Sequence, residues 1–286
     1  MFSLSRKKPA PTAKPPQLEL SGPGLVEALE MISSGCDLSG GIDRFVLALK
    51  LRRGVFVDML VEQEDGPLTP EHLAALAMFM PTVRRRIGPY LEGTNFELLR
   101  NGISVLLAEK HDVATADARI QRFCDLFPND KAHRWVRDLA AEILHAVEPE
   151  RYPLMCRWVW DVKSNTGVLR EIWHGDIDSE TLKVGDEYLT FLTLREELSQ
   201  FLSSHGIVQE VQAYVDLLCA QIYAVYISAQ GGSYLRADFS SAEDPMAHVR
   251  RLLGLDGVQP KINRDVASSA SGAAETLALI EGAKGP

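Results

Sequence analysis

Several absences narrow this chain before any motif is sought. It has four cysteines in 286 residues, Cys36, Cys124, Cys156 and Cys219, with no C-x-x-C pair and no zinc-type Cys/His spacing. That excludes a disulfide scaffold and a structural zinc site, and four free thiols in a reducing compartment are expected. No run approaches the roughly 18 uninterrupted apolar residues of a membrane span. The basic start, RKKPAPTAKPP, is followed by Gln17, Glu19 and Ser21 rather than by an apolar core, so no secretory leader is expected and the location should be cytoplasmic. There is no G-x-x-x-x-G-K-[ST], G-x-G-x-x-G after a strand, H-E-x-x-H or G-x-S-x-G. The commonest nucleotide-binding, protease and hydrolase machineries are therefore missing.

Positive charge is scarce outside the first residues. The formal charge is −9, and Arg6, Lys7, Lys8 and Lys14 stand in the first sixteen positions without an acid, which leaves the remainder near −13. So acidic a body repels phosphate backbones and disfavours nucleic acid as the main partner. Arg84, Arg85 and Arg86 form the internal basic cluster, read as a solvated helix end between Pro81 and Pro89.

What remains is helical punctuation. Thr69, Pro70 and Glu71 supply an N-cap, a proline at the first helical position and an early acid, with Pro81 beyond the end. Thr94 with Glu97 has capping-box spacing, and a helix from 95 to 110 follows. Further helices open at Thr115 and at Asn129 or Asp130, ending before Pro128 and Pro149, and Asp244-Pro245 repeats the first device. Val208, Val211, Val215, Leu218, Ile222, Val225 and Ala229 recur every three or four residues, as do Phe191, Leu194, Leu198 and Phe201. Residues 187–230 thus read as a helical hairpin with a buried seam. Residues 42–62 fit either a helix, through Phe45, Leu49, Phe56 and Leu60, or a strand, since Gly54 interrupts the stripe. The fold class is all-α: a bundle-like helical domain over 21–257, a disordered basic Pro-rich arm over 1–20, and a flexible tail over 258–286 with a possible short helix at 273–281.

Chemistry has few candidates. Glu142-x-x-His145 and Glu171-x-x-His174 each place a carboxylate and an imidazole on one helix face, the spacing used twice in di-iron and di-manganese carboxylate bundles. Iron or manganese held by those four residues, with an oxidoreductase activity, is the alternative expectation; Glu109, Glu187 and Asp216 are further carboxylates. The bland reading of His174 is a cation at a helix C-terminus before Gly175. His174 to Asp178 could offer Asp176 and Asp178 to a hard cation, or simply cap the next helix. All four tryptophans, Trp135, Trp158, Trp160 and Trp173, fall within 39 positions, which suits an aromatic core, an interface or a ligand pocket.

The function expected on balance is a cytoplasmic adaptor or regulatory subunit, not an enzyme and without a cofactor. It would bind protein partners through helical faces, with a homo-oligomer also open. Trp158, Trp160 and Trp173 in the middle, and Leu277 and Ile280 in the tail, are the expected contact residues.

Overall fold

A computed structural model describes residues 15–38, 41–63, 66–174, 181–230 and 246–256. The described residues are helical with no strand, so the fold is all-α. Helix α1 is Gly22–Leu38, α2 Ile42–Val57, α3 Pro70–Met78, α4 Gly93–Ala108, α5 Ala116–Cys124, α6 Trp135–Val147, α7 Val168–Glu171, α8 Tyr188–Ser204, α9 Val211–Gln230 and α10 Ala247–Leu252.

Two helices act as hubs. Every residue of α6 is buried except Arg137, and α2, α4 and α5 pack on it. Helix α9 gathers α1, α7, α8 and α10, while α2 touches both hubs and joins the two groups. Alanines at 140, 141 and 146 let neighbouring helices approach α6 closely, and Leu139, Ile143 and Leu144 fill the space between them.

Residues 42–62 resolve as helix. Phe45, Ala48, Arg52, Val55 and Met59 are buried at spacings of three and four, with Phe56 beside them, and that continuous core face outweighs the single Gly54. The helix widens into a π-turn over Asp58–Glu62 and stops at Gln63, whose φ is 49°. Thr69 caps α3 as expected, its Oγ1 accepting from the His72 backbone N–H at 3.2 Å. The Thr94/Glu97 capping box does not form. Helix α4 starts at Gly93 with Glu92 as N-cap, so Thr94 lies inside the first turn, and Glu97 pairs with Arg100 instead. Asp130 accepts from the N–H groups of Ala132 and His133 and opens the turn that leads into α6.

The hairpin of α8 and α9 is present, with His205 closing α8. Its seam is buried at Leu194, Leu198, Val215, Leu218 and Ile222. It does not extend to Val208, which precedes the helix and is 72% exposed. Among the described residues α9 is also the helix long and apolar enough, over Val211–Ala229, to cross a membrane by length and composition. Here it packs on five other helices and buries Asp216 and Gln221.

Residues 15–20, within the expected arm over 1–20, are among those described. Leu18 and Leu20 lie against the core, Leu20 bridges Trp173, and the Ser21 N–H donates to the Ile172 carbonyl at 2.7 Å. Of the Arg84–Arg86 cluster, Arg84 is held by two hydrogen bonds to Asp256, at 2.9 and 2.7 Å. The expected short helix at 273–281, with Leu277 and Ile280, lies outside the described residues, as do Asp176, Asp178 and the Asp244-Pro245 cap.

Candidate functional site

On α6, Asp138, Glu142 and His145 follow each other at spacings of four and three, so they share one face. All three are buried. An uncompensated charge there would be costly, and each is met by a group of opposite sign from a different part of the fold. Asp138 accepts from Arg157 Nη2 at 2.6 Å, Nε at 3.0 Å and the Arg157 backbone N–H at 3.0 Å. Glu142 accepts from Arg52 Nη2 of α2 at 2.5 Å. His145 lies between two acceptors, the Tyr152 carbonyl at 2.9 Å from Nδ1 and Asp216 Oδ2 of α9 at 3.0 Å from Nε2.

Both ring nitrogens face acceptors, an arrangement that favours the protonated imidazole. Burial alone would lower the His145 pKa, but the charge and hydrogen bond of Asp216 and the Tyr152 carbonyl together raise it.

Next to this row lies a cleft of about 380 Å³ between α2, α6 and α9. Arg52, His145 and Asp216 line its buried part, and Val46, Leu49, Val211 and Ala213 supply apolar wall. At its rim Lys50 pairs with Glu210 at 2.6 Å and Arg53 with Glu150 at 2.6 Å, all four side chains substantially exposed. Arg52 is not fully satisfied. Its Nη2 serves both Glu142 and the Phe79 carbonyl, while its buried Nε has no hydrogen-bond partner. Asp216 bonds His145 through Oδ2, and its Oδ1 has no hydrogen-bond partner among the described residues.

The four residues expected as metal ligands are not gathered into one site. Glu142 is committed to Arg52, and His145 to Asp216 and Tyr152. Glu171 ends α7 and His174 lies three residues beyond it, both at the surface, and the His174 backbone N–H donates to the Glu19 carbonyl at 2.6 Å. Among the described residues no three His, Cys, Asp or Glu form a group that could hold a metal. Of the further carboxylates, Asp216 does reach His145, but as an ion-pair partner.

The tryptophans are mainly core. Trp160 is fully buried, its Nε1–H donating to the carbonyls of Val184 and Gly185 at 3.2 and 3.1 Å, and Trp158 is buried against Tyr223. Neither presents a surface to a partner, because Trp158 packs on Tyr223 of α9 and Trp160 is sealed against the Val184–Gly185 segment; Trp173 alone of the three expected contact tryptophans is partly exposed. The thiols are not poised as nucleophiles. Burial is the main cause that pushes Cys36 up to about 12 and Cys124 to about 11, and it raises Cys156 and Cys219 strongly.

Sequence reasoning missed Arg52 and the role of Asp216. A signal was present in each: Arg52 falls on the apolar stripe of α2, and Asp216 adjoins the seam residue Val215. A charge at a core position implies a buried partner, but spacing along the chain does not say which one.

The chain matches no family model, and comparisons with curated proteins and with solved structures find no match.

Proposed function

We propose that this chain is a protein-interaction module, an adaptor or regulatory subunit that docks other proteins on its helical faces. The observation that carries this reading is an apolar stripe on the outside of α4. Leu98 and Val105 are seven residues apart, hence nearly in line along the helix, and Val105 is 56% exposed. Between them sits Gly102. A Cβ there would lie 2.8 Å from Leu126 Cδ1 and 3.0 Å from Phe123, so the missing side chain lets Leu126, itself 40% exposed, lie over the helix and widen the stripe. Solvated helix faces of monomers normally place charges at such positions, and clustered apolar exposure favours a protein partner. The partly exposed Trp173 is an aromatic contact also available at the surface.

The test is affinity capture from native cells with the full chain and with a Leu98→Lys/Val105→Lys variant, which alters exposed positions only. The expected outcome is a defined set of co-purifying proteins, depleted about tenfold or more by the variant at unchanged helix content. Equal capture by both forms overturns the stripe as the docking face. A monomeric solution mass with no captured protein overturns the function.

A further inference from the structure

We propose that the cleft between α2, α6 and α9 binds a small zwitterion of the α-amino acid class, its carboxylate set against Arg52 and its ammonium against the open Oδ1 of Asp216. This inference stands apart from the docking reading of α4 and needs no protein partner.

Three observations lead to it. The first is size: about 380 Å³ lies within the range of roughly 300–1,000 Å³ typical of small-molecule sites, large enough for an amino acid with an extended side chain. The second is the pattern of unmet polar groups. Arg52 and Asp216 both line the cleft, and neither the Nη1 of Arg52 nor the Oδ1 of Asp216 makes a hydrogen bond among the described residues, which leaves one cationic donor and one anionic acceptor open to a guest. They come from opposite walls, α2 and α9. A guest that satisfies both must bring an acceptor and a donor of opposite charge.

The third is charge balance. Arg52 is already matched by Glu142, and His145 by Asp216; at the rim Lys50 is matched by Glu210 and Arg53 by Glu150. A guest carrying net charge would leave an uncompensated ion in the low-dielectric end of the cleft. A neutral guest with two separated charges avoids that. It would also find Val46, Leu49 and Val211 for an apolar side chain, which favours an aliphatic amino acid over a charged one. The two rim pairs are exposed and therefore weak, so they can part to admit the guest and close after it.

Asp216→Asn is the obvious variant, but it also removes the partner of His145. Ala213→Trp is cleaner, since Ala213 lines the cleft near the partly exposed start of α9 and makes none of the ion pairs. Titration calorimetry on the full chain would use the common L-α-amino acids one at a time, then the N-acetyl and the carboxamide forms of the tightest binder. The expected result is saturable one-to-one binding of at least one aliphatic amino acid, weakened about tenfold or more by either cap. Ala213→Trp should abolish binding while its melting temperature stays within about 3 °C of the parent. The proposal is overturned if no amino acid binds up to about 10 mM, if a capped form binds as well as the free one, or if Ala213→Trp binds unchanged.

Discussion

His145 shows how much one residue can be asked to do inside a helical core. Its imidazole is surrounded by Asp216 from α9, Arg52 from α2, the Tyr152 carbonyl and the more distant Glu150. Because its folded pKa lies above the unfolded value of about 6.5, folding takes up a proton. The stabilisation is fully present below that unfolded value and is lost as pH rises through the folded one. Urea unfolding followed across this window should therefore show stability falling toward alkaline pH, and His145→Gln should flatten the fall. A variant whose pH profile parallels the parent's would count against the imidazolium. Glu142 and Arg52 form a pair of a different kind, a carboxylate and a guanidinium that are both buried and hydrogen-bonded to each other. Removing one would strand the other, at a cost of about 3–5 kcal/mol. Arg119 is a third case: buried, it pairs with no carboxylate among the described residues but donates to the Leu106 carbonyl at 2.6 Å, the Asp112 carbonyl at 3.1 Å and Thr115 Oγ1 at 3.1 Å, and it also contacts the Tyr152 hydroxyl.

At the scale of elements, helix ends decide how the pieces meet. Helix α10 finishes at Leu252, and Gly254 turns the chain with φ of 68° so that its backbone rests on the carbonyl of Phe79. A Cβ there would fall 2.0 Å from that oxygen, a clash with backbone rather than with a movable side chain. The same contact brings Asp256 to Arg84 and ties α10 to the segment after α3. Gly254→Ala should accordingly destabilise the protein by about 1–3 kcal/mol, from both the strained φ and the clash. The midpoint of chemical denaturation measures it; a shift no larger than that of an exposed-helix substitution would show that the α10 segment contributes little. The cap at Thr69 was plain in the sequence, and the one at Asp130 was narrowed to Asn129 or Asp130, because the capping residue and its target are three positions apart or fewer. The Thr94/Glu97 pair had the right spacing and still failed, since Glu92 and Gly93 offered an earlier start.

For the whole molecule, the two hub helices make one continuous apolar interior in which three of the four cysteines are buried and the fourth, Cys124, is half-buried. Raised pKa values keep these groups as thiols at neutral pH, and the thiolate is the reactive form. Native protein at pH 7.5 should consequently react slowly with a disulfide reagent, while denatured protein should show four fast thiols. Rapid labelling of more than one cysteine in the native state would mean that the interior opens far more often than this packing implies.

The sequence by itself determined the all-α class, the α8–α9 hairpin and the approximate limits of α3, α4 and α5, because caps, prolines and three-to-four spacing act over distances of a few residues. It also put Glu142 and His145 on one face of one helix. Only the tertiary structure decided what those two residues do. Arg52 lies 90 positions from Glu142 and Asp216 lies 71 from His145, and pairing at that range is set by how α2 and α9 pack on α6. Buried ions must be neutralised by whatever the packing brings near them, so their partners, the cleft beside them and the burial of Trp158 and Trp160 follow from helix assembly rather than from local spacing.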